Sequence, residues 1–185
     1  MKTTGLDYKK LASYLDKEEK VYCYEDDERM FLSEGAFIFA MPYSHELAKY
    51  RPLEKNTRYL YELGEMHKDC GYDIMKLWNG DNVTECQITV TNFLYECTNY
   101  GKPSDLYRKF TGSTEVVTEE ETIEKEVTLW LNKKVLEIFT KDYTDFQSGS
   151  DLVALKVKGQ KMLVKIVGCG IEALMMAANS NVVGI

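Results

Sequence analysis

Residues 20–42 read KVYCYEDDERMFLSEGAFIFAMP, and this stretch decides the fold. It breaks at Glu25-Asp26-Asp27 and again at Ser33-Glu34-Gly35, leaving three short strands in series. In the third, Phe37, Phe39 and Met41 alternate with Ala36, Ile38 and Ala40. Alternation of period two sends neighbours to opposite faces of a strand. Both sets are apolar here, so both faces are expected to be covered. Nothing in the stretch is chemically reactive in an obvious way, and the lead it offers is architectural.

Upstream, residues 5–16 (GLDYKKLASYLD) form an amphipathic helical pattern. Leu6, Leu11, Tyr14 and Leu15 share one face, while Lys9, Lys10 and Lys17 point elsewhere. Downstream, residues 43–57 read as irregular between the breakers Pro42 and Pro52. Asn56 or Thr57 is placed to cap a helix through Arg58, Tyr59, Leu60, Leu63 and Met66. Asn79-Gly80 is a turn signal after the apolar residues 74–78, and residues 83–97 are rich in β-branched and aromatic side chains, predicting a strand. Ser104 is positioned to cap a short helix through Leu106, Tyr107 and Phe110. Residues 112–126, rich in Thr and Glu with Glu119, Glu120 and Glu121 in a row, read as a solvated linker or exposed edge.

The last third is more regular. Residues 127–131 and 135–139 flank Asn132-Lys133-Lys134 in a hairpin pattern, and 140–147 read as a short helix or turn. Residues 152–158 and 161–167 flank Gly159-Gln160, where the leading glycine suits a type II′ turn. The segment IEALMMAA at 171–178 has helix propensity taken alone, but in this context it closes the fold as a strand.

A chain of 185 residues is long enough for one substantial core. Its apolar fraction of 44% and aromatic fraction of 12% are those of a folded protein rather than a disordered one. The 23 basic against 30 acidic residues argue against a simple nucleic-acid coat, although a local basic face can sit on an acidic body. Five cysteines (Cys23, Cys70, Cys86, Cys97 and Cys169) are an odd number with no CxxC pair, which points to reduced thiols rather than a disulfide framework. The apolar runs fall short of the roughly 18 to 20 residues a membrane span requires. The opening MKTTGLDYKK lacks the apolar core of a signal peptide. A cytoplasmic protein with no membrane partner is the expectation.

The two ends of the chain resemble each other. The first runs from LDYKKLASYLD through KVYCYE and ERMFLS, past a glycine turn, to AFIFAMP. The second runs from KDYTDFQSGS through LVALKVK and KMLVKIV, past a glycine turn, to IEALMMA. Both read α-β-β-β, both carry Asp-Tyr at the start of the helical piece, and both finish on an apolar strand containing Met. Adding the strand VLEIF before the second copy gives two βαβββ-like units. This pattern resembles one domain of the DNA sliding clamp family, the processivity-factor fold. The likeness covers about half the chain and leaves residues 43–126 without a counterpart. The family's Met-Pro ending appears at Met41-Pro42 in the first copy, while the second has Met176-Ala177.

The resemblance implies a replication-associated role, with duplex DNA or docked partner peptides as ligands. It also implies that helix lysines meet phosphates, and Lys9, Lys10, Lys17 and Lys20 qualify on the first helix. The second helical piece offers Lys141, but beside Asp142 and Asp145.

Other residues invite chemistry and mostly fail its requirements. His67 and Cys70 are spaced to share a helix face as metal ligands, but no second pair stands at a matching interval, and a structural role near a helix end is the simpler reading. Gly168-Cys169-Gly170 suggests an exposed nucleophile, but neither His45 nor His67 can be assigned as its base, so a tight turn between strands is expected. Glu119 to Glu121 with Asp26 and Asp27 form no diagnostic carboxylate pair. No Walker loop, GxGxxG or HExxH is present, and no cofactor, metal or catalytic residue is expected. Tyr95, Tyr100 and Tyr107 with Lys102, Arg108 and Lys109 form the best aromatic and basic cluster. It suits base stacking and phosphate contact, or equally a loop and short helix packing tyrosine rings on a sheet. From this cluster Lys102, Tyr107, Arg108 and Lys109 join the α-helical lysines as candidate nucleic-acid contacts.

The sequence therefore predicts one α+β domain spanning 1–185. It contains antiparallel sheets and short helices: a first unit at 1–42, a mixed insertion at 43–126 and a second unit at 127–185. The expected function is non-enzymatic, clamp-like binding in phage or mobile-element replication, with a protein partner or self-association and with DNA contact. The alternatives are a structural or regulatory homo-oligomerising module without DNA binding, and an enzyme with its site in residues 43–126.

Overall fold

The computed structural model describes residues 5–68, 71–79, 84–95, 107–117, 121–139, 151–157, 162–168 and 171–182. The opening stretch forms β1 (Lys20–Glu25), β2 (Met30–Ser33) and β3 (Phe37–Met41), an antiparallel meander in which Tyr24 faces Phe31 and Leu32 faces Phe39. The Asp26 carboxylate closes the first turn by accepting the N–H groups of Glu28 at 2.8 Å and Arg29 at 2.6 Å. Gly35 takes φ of 108° in the second turn, a conformation that a side chain resists.

All five residues of β3 are buried, as the double apolar alternation predicts. On one face Phe37, Phe39 and Met41 pack with Leu11 and Leu15 of α1 (Tyr8–Leu15) and with Leu47 and Tyr50 of a 3₁₀ helix (His45–Tyr50). On the other, Ile38 and Ala40 join Phe31, Leu174 and the Ile74 and Trp78 side chains of α2 (Ile74–Asn79). Helices on both faces of an antiparallel sheet give the α+β character. The 3₁₀ helix falls within residues otherwise read as irregular.

Residues 58–66 are not a helix. They form the hairpin β4 (Tyr59–Glu62) and β5 (Glu65–Lys68), joined by Leu63 and Gly64 at φ of 53° and 86°. Two successive positive φ values are those of a type I′ turn. The deciding period is two, with Tyr59 buried and Tyr61 packed against the same core, while the helix-like spacing of Leu60 and Leu63 is incidental because Leu63 is 95% exposed.

β6 (Thr84–Tyr95) meets the expectation for 83–97. The expected helix at 104–110 is overturned, because β7 begins at Tyr107 and runs to Val117. Of the two readings of 112–126, the linker is overturned, while its outer part is an exposed edge: residues 115–117 and 122–126 pair with each other alone among the described strands. Most of the stretch lies in the paired arms of β7 and β8 (Thr122–Asn132), which stay in register from Tyr107↔Asn132 to Val117↔Thr122. Thr suits a strand, and pairing along both arms satisfies backbone that a linker would leave to water.

The expected hairpin about 132–134 is a helical turn instead. Asn132 accepts the N–H of Lys134 at 2.9 Å and caps α3 (Lys133–Leu136), so 135–139 does not form the strand VLEIF. Only Phe139 keeps a β contact, a bridge to Leu6. Residues 140–147 lie outside the described residues.

β9 (Asp151–Val157), β10 (Met162–Gly168) and β11 (Ile171–Val182) form the second meander, so the context-dependent strand at 171–177 is a strand. The eleven strands follow the order β10-β9-β6-β7-β8-β11-β3-β2-β1-β4-β5, and β10 also pairs with β11. That extra pairing closes β9, β6, β7, β8, β11 and β10 into a circuit. β11 makes this possible through its 12 residues. One edge pairs with β10; the other pairs first with β3 through Ala173 to Met175, then with β8 through Ala178, Asn181 and Val182. Among the described strands, β5 ends the sheet.

Candidate functional site

The side of α1 away from the core borders a groove of about 510 Å³ against the end of β8 and α3. The helix is held there from both ends. Asp7 caps it by accepting the N–H groups of Lys9 and Lys10 at 3.1 Å each, and its own N–H donates to the Ile138 carbonyl at 2.8 Å. At the C-terminal end the Asp16 carboxylate accepts the Tyr50 hydroxyl at 2.7 Å and pairs with Lys49. Burial and the Asp16 charge raise the Tyr50 pKa, while the Lys49 and Tyr50 hydrogen bonds lower that of Asp16.

Lys10 and Tyr14 of α1, with Lys17 just past its end, contribute one wall, and Asn132, Lys134 and Ile138 contribute the opposite one. The Lys10 ammonium reaches across to the Glu137 carbonyl at 3.2 Å. Among the described residues Lys10, Lys17 and Lys134 make no ion pair. By contrast, Lys20 pairs with Glu62 at 3.2 Å, Lys55 with Asp27 at 3.5 Å, Lys68 with Glu54 at 2.7 Å and Lys133 with Glu137 at 3.7 Å. Two carboxylates also border the groove. Glu137 faces Lys133, and Glu18 stands at the Lys17 end.

Tyr14 sits edge-on to Phe37 with ring centroids 5.3 Å apart. Burial, followed by the charges of Glu34 and Glu18, pushes its pKa up to about 12. The hydroxyl therefore stays protonated at physiological pH and remains a donor.

The candidate contacts separate in space. Lys10 and Lys17 share the groove. Lys9 is exposed, and its charge acts on Glu46 of the 3₁₀ helix. Lys20 is engaged by Glu62 across β1 and β4. Tyr107, Arg108 and Lys109 begin β7, not a helix, opposite Asn132, Leu131 and Trp130. This register puts Tyr107 beside the strand residue that borders the groove. Tyr95 lies on β6 opposite Phe110, and Lys102 and Tyr100 lie outside the described residues.

Lys134 and Asn132 were missed as groove residues. The sequence showed them as a hairpin tip, and no local signal places them across from α1.

The remaining constellations do not assemble. His67 is exposed on β5 rather than near a helix end, and Cys70 lies outside the described residues. Asp26 is occupied by turn N–H groups and Asp27 by Lys55. Glu121 is exposed ahead of β8, and Glu119 and Glu120 lie outside the described residues. Gly168 pairs with Ile171 at the facing ends of β10 and β11, and Cys169 and Gly170 lie outside the described residues. Among the described residues no group of three His, Cys, Asp or Glu is placed to hold a metal, and no helix is long and apolar enough to cross a membrane.

Comparison with protein-family models, curated proteins and solved structures finds no match to this chain.

Proposed function

We propose that this chain is a non-enzymatic, clamp-like binding protein that serves DNA replication in a phage or mobile element. The observation that carries this reading is the antiparallel pairing of β3 with β11. These are the final strands of the two α-β-β-β segments, and antiparallel neighbours in equivalent positions have a local twofold between them. Leu6, which precedes α1, and Phe139, which precedes the helical or turn piece that the sequence places at 140–147 outside the described residues, form an antiparallel bridge. A duplicated unit of this kind supports binding of a protein partner or duplex DNA over turnover of a substrate.

Lys9, Lys10 and Lys17 are the DNA contacts on this reading, with Tyr107, Arg108 and Lys109 as a second set. Self-association through the sheet edge is the less favoured reading. β5 is four residues long and carries Glu65, His67 and Lys68, a composition that resists pairing with another edge.

Two measurements test the proposal. Pull-down with a replicative polymerase is expected to retain the chain. Duplex-DNA binding is expected to weaken steeply as salt rises. No polymerase contact together with no duplex affinity at low salt would overturn it.

A further inference from the structure

The chain carries net charge −7, and Lys20, Lys55 and Lys68 are each held by an acidic partner. The groove between α1 and α3 has three lysines against two carboxylates, Glu18 and Glu137. It gathers Lys10 of α1, Lys17 just past its end and Lys134 of α3, none of them in an ion pair among the described residues. An ammonium has three donors, so Lys10 retains capacity after its bond to the Glu137 carbonyl. Unpaired cations brought together from distant parts of the chain repel one another, and an anion between them relieves that repulsion.

The spacing defines the anion. Lys10 lies in the first turn of α1 and Lys17 two residues past its last residue, Leu15; the five helical steps from Lys10 to Leu15 alone rise about 7.5 Å at 1.5 Å per residue. One phosphate does not span that distance, whereas two linked or adjacent ones do. The groove volume of about 510 Å³ is in the range of small-molecule sites. Ser13 and Asn132 add polar groups to its walls.

We infer that this groove binds a ligand carrying two or more phosphoryl groups, held by Lys10, Lys17 and Lys134. Free oligophosphates and adjacent phosphodiesters of a nucleic-acid strand share that chemistry. The inference does not rest on the clamp-like reading. A chain that binds tripolyphosphate but neither polymerase nor duplex DNA would keep this inference and lose the other.

The test is calorimetric titration of the full chain at low salt with tripolyphosphate, ATP and a short oligothymidylate. Saturable binding of at least one probe is expected. The Lys10→Ala/Lys17→Ala/Lys134→Ala variant should weaken it by at least about tenfold, and Lys20→Ala/Lys55→Ala/Lys68→Ala, which removes equal charge elsewhere, by no more than about twofold. Glu18→Gln should tighten it. Lys134→Gln alone, at an exposed position, should weaken it in the same direction, which covers any folding defect of the triple variant. Binding of tripolyphosphate or ATP assigns a free oligophosphate, and binding of oligothymidylate alone assigns backbone phosphates. No binding by any probe, or equal losses in the two triple variants, overturns the inference.

Discussion

Glu34 sits in the turn between β2 and β3, where burial and the charge of Glu18 raise its pKa and the backbone of Ala36 offsets part of that rise. A carboxyl whose pKa is raised on folding binds its proton more tightly in the folded state. Its contribution to stability is therefore full at low pH and is lost as pH rises through the folded-state value. Glu34→Gln is expected to raise the melting temperature at pH 7, and the gain should vanish below the usual carboxylate range. A thermal melt series across pH checks this, and a gain that persists in acid would show another origin. Asp16 has the opposite sign. Lys49 and Tyr50 lower its pKa, so the stability it contributes at neutral pH is lost as pH falls. Glu25, 7% exposed, keeps its charge in company by a two-pronged pairing with Arg51 at 3.0 and 3.1 Å, and Arg51 also lies over the Tyr43 ring. Arg51→Ala should lower the urea midpoint more than Lys55→Ala, because only the first leaves a buried carboxylate alone.

Among the elements, the β4–β5 hairpin shows how a turn overrides an apparent helical period. Leu63 occupies a positive φ of 53° while 95% exposed, so it bears strain without packing in return. An ordinary L-residue is disfavoured there by about 1–2 kcal/mol, whereas Asn tolerates the region. Leu63→Asn should therefore stabilise the protein by about 1 kcal/mol, read by urea unfolding. β3 makes the complementary case for packing. Phe39 is fully buried against Phe139, with ring centroids 6.0 Å apart, and Phe39→Ala should cost about 3–5 kcal/mol. α1 was legible from its apolar face, which the burial of Leu11 and Leu15 bears out, while its Asp7 cap came from the structure. α3 was not, because Asn132-Lys133-Lys134 suits a hairpin tip or a capped helical turn equally well.

For the whole molecule, closure of the circuit through β10 and β11 leaves β5 as the described end of the sheet. β3 and the first half of β11 are hydrogen-bonded on both edges. Amide exchange followed by mass spectrometry should find β3 and residues 173–175 slowest and β5 fastest, because opening β5 breaks one ladder while opening β3 breaks two. Equal protection across the sheet would contradict this layout. β11 joins the two meanders, and the same pairing supports the clamp-like proposal.

The sequence by itself determined the local elements whose signals agree: the amphipathic helix within residues 5–16, the three strands of 20–42 with their turns, and the strands of the second meander. Each is set by periodicity and turn chemistry acting within a few residues. Tertiary structure decided the rest. It made 171–182 a strand against its helix propensity, because backbone flanked by β3, β8 and β10 is hydrogen-bonded only if extended. It turned an acidic, Thr-rich stretch into paired strands. It also set Lys134 across from Lys10 and Lys17, more than a hundred residues away in the chain. The groove comes from the packing of α1 against α3, and no property of either segment alone contains it.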